Sequence, residues 1–130
     1  MRVLLPAGWP RPRGYSNGVA VRGEMVFVAG MVGWDTDGRF ASDTLAGQAR
    51  QALTNIVAVL QEAGAKPEHI VRMTWYVLDK RAYIAAAAEL GAAFREIIGS
   101  YNAAMSAVEV SALMEDAALV EIEVTAVIPD

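Results

Sequence analysis

Residues 102–127 run NAAMSAVEVSALMEDAALVEIEVTAV, and this stretch decides the predicted fold. Over residues 118–128, apolar side chains alternate with polar ones, Glu121 and Glu123 among them, which is the period of a half-buried strand. Residues 104–110 have a similar content, and an acidic segment separates the two runs. The chain is therefore expected to end in two β-strands joined by a short acidic loop.

Upstream of this stretch, the first elements also look β-like. Two short apolar runs, residues 18–22 and 25–29, flank the dipeptide Gly23-Glu24. Such a dipeptide between β-branched runs predicts a tight hairpin. The glycines and aspartates of residues 30–38 then interrupt any regular pattern, which predicts a turn-rich loop.

A helix and a strand are predicted next. From Thr44 onward, apolar residues recur at helical spacing, with Ser42 or Asp43 as the candidate N-cap and Gly64 as the C-terminal stop. Residues 70–78 have the β-branched and aromatic content of a strand, with apolar and polar side chains on opposite sides. This strand is expected to lie inside a sheet.

A second helix is predicted over residues 80–98, with Gly99 as its C-terminal cap. Four alanines at 85–88 are expected to let it pack closely on a sheet. The predicted order is β-β-α-β-α-β-β, an α+β fold with two helices on one face of a mixed sheet. The other face then needs a partner copy in a closed homo-oligomer, unless it is polar and solvated.

Composition limits the function. A chain of 130 residues that is 55% hydrophobic is expected to form one domain, residues 1–130. A net charge of -4 disfavours nucleic-acid binding, and a chain with no cysteine and one histidine suggests neither a metal site nor another cofactor. No apolar run reaches the roughly 20 residues that span a bilayer. The expectation is a soluble cytoplasmic protein without membrane contacts.

Several motifs, in order along the chain, resemble those of the Rid proteins, also called the YjgF/UK114 family of imine deaminases. The resemblance implies a chorismate-mutase-like subunit and a homotrimer whose sheets form a central β-barrel. It also implies a cleft for a small molecule between each pair of neighbouring subunits. The matching segments are residues 12–16 (PRGYS), 26–30 (VFVAG), 48–53 (QARQAL), 70–74 (IVRMT), 106–110 (SAVEV) and 120–123 (VEIE).

Family members with deaminase activity use an arginine to bind the substrate carboxylate and a glutamate to handle water. The resemblance assigns the catalytic role to Glu121, but it places Met105 where the arginine usually stands. A thioether cannot donate hydrogen bonds to a carboxylate. The substrate-binding residues that the resemblance implies are Tyr15, Gly30, Met31, Ala87, Met105, Ser106 and Ala107, several of them less polar than in the family.

Two hypotheses follow. In the first, Glu121 still directs hydrolysis of an enamine or imine whose carboxylate is absent or is held elsewhere, and Arg13, Arg39 and Arg72 are the candidates to hold it. In the second, the protein is a non-catalytic trimer that binds a small metabolite. An endoribonuclease activity is disfavoured because the chain is acidic and lacks a basic aromatic platform.

Overall fold

Six strands and three α-helices lie within residues 1–99 and 102–130, the part of the chain that the computed structural model describes. A short 3-10 turn, Pro67–His69, precedes the fourth strand. The elements are β1 (Arg2–Leu4), β2 (Gly18–Ala20), β3 (Gly23–Met31), α1 (Leu45–Glu62), β4 (Ile70–Val77), α2 (Lys80–Ala85), α3 (Ala87–Ile97), β5 (Ala104–Glu109) and β6 (Val120–Pro129).

The main sheet has four strands in the order β3-β6-β4-β5. β6 pairs antiparallel with both β3 and β4, whereas β4 and β5 pair in parallel. β1 and β2 form a separate antiparallel ribbon. The predicted α+β fold with a mixed sheet is thus confirmed, and β4 separates the two strands of the closing stretch.

The predicted hairpin around Gly23-Glu24 is wrong. β2 pairs with β1, while β3 begins at Gly23 itself and pairs with β6. Gly23 has φ +149°, and a Cβ there would stand 1.9 Å from the carbonyl oxygen of Ile128. The glycine therefore permits a close backbone approach between strands rather than a two-residue turn.

α1 follows the prediction at its C-terminal end and differs by a residue or two at its start. Its N-cap is Thr44, whose Oγ1 accepts a hydrogen bond from the Gly47 N–H at 3.1 Å, and Ser42 in turn accepts from the Thr44 N–H. After the helix, Gly64 adopts φ +74° and donates to the Gln61 carbonyl. The left-handed glycine confirms Gly64 as the helix stop.

The predicted second helix is divided at Ala86, which has φ -90° and ψ 7°. α2 begins with Asp79 as its N-cap, and the Ala86 N–H still donates to the Ala82 carbonyl. Ala86 is therefore the one residue between α2 and α3. α3 packs against α1, and three of the four alanines at 85–88 are exposed. Ala86 packs against the core, and the buried residues of α3 are Leu90, Ala93 and Phe94.

The sheet has one covered face and one open face. The side chains of Met73, Trp75 and Val77 on β4 enter the core beneath the helices. On the open side, Phe27 of β3 is 70% exposed and Met25 is also exposed.

No helix in the described part of the chain combines the length and the apolar content that a membrane span requires.

Candidate functional site

A cavity of about 510 Å³ lies on the covered side of the sheet, between β5 and α3. It brings together five of the residues assigned to substrate binding: Tyr15, Ala87, Met105, Ser106 and Ala107. These five come from three separate parts of the chain, so their meeting is a tertiary property.

Strand register explains why β5 contributes to this cavity. β4 and β5 run parallel, with Met73 opposite Met105 and Trp75 opposite Ala107. Paired positions on neighbouring strands place their side chains on the same face. Because Met73 is fully buried beneath the helices, Met105 and Ala107 also face the helical side.

The other walls of the cavity are apolar and largely aromatic. α3 contributes Leu90 and Phe94, and Tyr83 comes from α2. The rings of Trp75 and Tyr83 meet edge to face, with centroids 6.0 Å apart. Burial raises the pKa of the Tyr83 phenol above its usual 10.0. Trp75 is thus both a core residue and a cavity wall.

The indole nitrogen of Trp75 is buried, and no residue in the described segments accepts a hydrogen bond from it. An unsatisfied buried donor of this kind costs roughly 1–3 kcal/mol.

Arg13 is the single charged residue among the described residues that line the cavity. The segment that carries it is fixed where Ser16 donates its N–H to the Ala103 carbonyl at 3.0 Å. Gly14 has φ +80°, a left-handed conformation that suits a glycine between Arg13 and Tyr15. Both neighbours of Gly14 line the same cavity.

The other two candidate arginines lie elsewhere. The backbone of Arg39 belongs to a tight turn, in which its N–H donates to Asp35 Oδ1 at 3.1 Å. Arg72 is on β4, one position from Met73, and lines a shallow hollow on the open face of the sheet. Of the three, Arg13 is the one that lines the cavity with Met105.

Glu121 lies on the open face rather than in the cavity. It pairs in register with Tyr76, on the side of β4 and β6 opposite the buried residues. Its carboxylate covers Gly30, where an added Cβ would stand 2.5 Å from Glu121 Oε2. Gly30 lies within β3, at an irregularity in its pairing with β6, and not in the loop that the sequence predicted.

Met31 packs against the hydrophobic core and is separate from the cavity. The predicted site residues are therefore divided within one chain. Five line the cavity on the covered face, while Glu121 and Gly30 form a second group on the open face. Sequence reasoning expected these residues in one cleft, and a single subunit does not assemble them.

Sequence reasoning missed a polar pair beside Glu121. The hydroxyl of Tyr76 donates to Glu123 Oε1 at 2.5 Å. The hydrogen bond to this carboxylate raises the pKa of Tyr76, because it favours the protonated phenol. The period of two along β4 and β6 places all three side chains on one face, which was the available signal.

No cluster of three or more histidine, cysteine, aspartate or glutamate residues suited to a metal ion occurs within residues 1–99 and 102–130. The side chains capable of polar chemistry around the cavity carry the Arg13 guanidinium and the hydroxyls of Tyr15 and Tyr83. Ser106 also lines the cavity, but its pairing with Thr74 directs its side chain toward the open face. This set can bind and orient a ligand. General-base chemistry requires a carboxylate from outside the cavity.

Comparison with known proteins adds a family context. The family model described as endoribonuclease L-PSP matches residues 10–128. A RutC family protein of Synechocystis is 37% identical, over 99% of this chain and 98% of its own. A 2-iminobutanoate/2-iminopropanoate deaminase of Salmonella typhimurium is 34% identical, over 87% of this chain and 84% of its own.

Among solved structures, a Yersinia pestis protein of unknown function from the conserved Rid family superposes with a TM-score of 0.85. The two chains are 33% identical, and the match covers 98% of each. The similarity therefore extends over both the covered and the open face of the sheet.

Proposed function

The chain belongs to the Rid family, and from that membership we propose that it binds a small, largely apolar metabolite in clefts between the subunits of a homotrimer. One wall of each cleft is the cavity beside Met105. The other is the Glu121 and Gly30 group of a neighbouring copy. In this arrangement Glu121 promotes the hydrolytic deamination of an enamine or imine.

The observation that carries the proposal is the division of the site between two faces. A cavity whose described lining holds no carboxylate, and a carboxylate on the opposite face of the sheet, are complementary halves on one chain. Rotational symmetry brings one face of a subunit against a different face of the next and closes a ring. The exposed Met25 and Phe27 on the open face favour such a contact, since apolar patches of this kind mark interaction surfaces.

The proposed chemistry is the addition of water to a carbon–nitrogen double bond. Glu121 removes a proton from the attacking water and returns it to nitrogen, which gives a carbinolamine. It then takes the hydroxyl proton of that intermediate and delivers it to nitrogen as the C–N bond breaks and the C=O bond forms, so that the carbonyl product and ammonia leave. Met105 provides apolar contact where the family arginine would bind a carboxylate.

A coupled assay tests the catalytic part. With a dehydratase that generates 2-aminoacrylate, this protein should accelerate pyruvate formation little, because Met105 cannot bind the substrate carboxylate. Met105→Arg should raise that rate if the remainder of the site is intact. Strong acceleration by the unmodified protein would contradict the role assigned to Met105.

Mixed oligomers test the division between subunits. On an imine that the protein does hydrolyse, Glu121→Gln and a cavity-filling Ala107→Trp variant should each be inactive alone. Refolded together in equal amounts, they should regain about one quarter of the activity, the fraction of clefts that join two intact halves. No recovery, with mixed trimers verified by mass, would contradict a shared cleft.

A binding protein without catalysis is the second candidate, and the largely apolar lining of the cavity beside Met105 favours it. Under this alternative, neither the unmodified protein nor Glu121→Gln shows turnover, and the substitution leaves ligand affinity unchanged. A ribonuclease activity, named in the description of the family model, is disfavoured by the net charge of -4. Tight RNA binding at low salt would favour the ribonuclease activity again.

The single domain over residues 1–130 and the cytoplasmic location remain predictions.

A further inference from the structure

We infer that the ligand of the cavity is a monoanion with a bulky aromatic or branched apolar body, and that Arg13 binds its anionic group. The inference rests on the proposed small-molecule function and specifies the ligand. It assigns charge recognition to the N-terminal segment, whereas the resemblance places that function at position 105.

The charge of the cavity lining favours a ligand with an anionic group. Arg13 is the single charged residue of its described lining, and no carboxylate accompanies it. The ion pair found among residues 1–99 and 102–130 joins Arg50 to Glu96, so the Arg13 guanidinium has no anionic partner there. A guanidinium presents parallel N–H donors that match the two oxygens of a carboxylate.

The side chains of the cavity walls favour a ligand with a bulky apolar body. Trp75, Tyr83 and Phe94 present aromatic surface, and Leu90 and Met105 add aliphatic and thioether surface. The volume of about 510 Å³ lies in the range of roughly 300–1,000 Å³ typical of sites for drug-sized ligands. A three-carbon acid leaves most of this space unfilled, whereas an aromatic ring can pack against the three aromatic side chains.

The backbone around Arg13 is fixed, which makes the arginine suitable for binding. The Ser16 N–H bond to Ala103 joins this segment to the residue next to β5. Gly14, with φ +80°, sets the directions of Arg13 and Tyr15 from the same turn. A cation on a held segment loses less entropy on binding than one on a free terminus.

Three stable probes separate the two parts of the inference. Phenylpyruvate carries both the ring and the carboxylate, phenylacetone retains the ring without the carboxylate, and pyruvate retains the carboxylate without the ring. Dissociation constants are measured by calorimetry on the intact oligomer. We expect phenylpyruvate to bind at least tenfold more tightly than either of the other two.

Arg13→Gln is the decisive variant, and Arg11→Gln is its matched control. Arg11 lies on the same segment but lines a different hollow. Arg13→Gln should weaken phenylpyruvate binding by roughly ten- to one-hundredfold, the range for a lost hydrogen-bonded charge, and leave phenylacetone binding unchanged. Arg11→Gln should change neither.

The other outcomes overturn the inference in distinguishable ways. Equal weakening of both ring-bearing probes by Arg13→Gln, or no weakening, contradicts the role of Arg13 while leaving the proposed cavity function intact. Pyruvate binding as tightly as phenylpyruvate contradicts the apolar body. If the unmodified protein binds none of the three probes, both the inference and the proposed small-molecule function fail.

Discussion

Gln48 should be one of the most sensitive polar positions in the protein. Its side chain is 1% exposed, and its amide joins α1 to two loops. Nε2 donates to the carbonyl oxygens of Ser42 at 3.1 Å and Ala117 at 2.9 Å, and Oε1 accepts from the Leu119 N–H at 2.7 Å. Replacement by Met keeps the volume and removes all three hydrogen bonds.

The expected loss follows from those three bonds. Each contributes about 0.5–1.5 kcal/mol net, so the three together contribute roughly 1.5–4.5 kcal/mol. The backbone groups left without partners move the loss toward the upper part of this summed range. We expect Gln48→Met to lower the free energy of unfolding by about 2–4 kcal/mol. Because Leu119 lies two residues before Glu121, we also expect turnover to fall.

Urea unfolding at a fixed protein concentration measures this change, and the concentration must be held because oligomers respond to mass action. Gln51→Met is the matched control. It lies on the same helix and is half-buried, and its Nε2 donates to Asn55 Oδ1 at 2.8 Å, the single side-chain hydrogen bond of Gln51 to the described residues. The control should cost less than about 1 kcal/mol. If the two variants agree within about 0.5 kcal/mol, the assigned role of Gln48 is refuted.

Two further predictions concern packing and pH. Gly30→Ala should change the free energy of unfolding by less than about 1 kcal/mol, because its Cβ meets the movable carboxylate of Glu121 at 2.5 Å, but it should lose turnover. Gly33→Ala should lower the free energy of unfolding by about 2–3 kcal/mol, because its Cβ meets the Gln48 backbone at 2.7 Å. Equal stability of the two variants would contradict this difference. Burial raises the pKa of Tyr83, so the folded state holds its proton more tightly, and the free energy of unfolding should fall as pH rises above about 10. Tyr83→Phe should flatten that dependence, and an unchanged slope in urea unfolding from pH 8 to 11 would contradict the assignment.

Strong local patterns predicted the long elements well. The apolar spacing of α1 and its Gly64 stop, and the alternation along β6, set those bounds to within about two residues. β1 was missed because three exposed residues carry no alternation. The break at Ala86 was missed because a run of alanines is equally compatible with one helix or two.

The residues of the candidate site could be predicted from the sequence, but their arrangement could not. Motif resemblance identified the residues, but it could not show on which face each one lies. Alternation along β6 places Glu121 opposite the core, whereas the face of Met105 depends on its pairing with Met73. Arg13 and Tyr83 carry no local signal that assigns them to the cavity, because their proximity depends on how distant segments pack.

By itself, the sequence determined the family, the α+β class, and the positions of α1, β4 and β6, because periodicity and caps are local properties of the chain. Tertiary structure decided that β2 pairs with β1, that Arg13 shares a cavity with Met105, and that Glu121 lies on the opposite face. Strand partners and register depend on contacts between residues far apart in sequence, which local pattern does not encode.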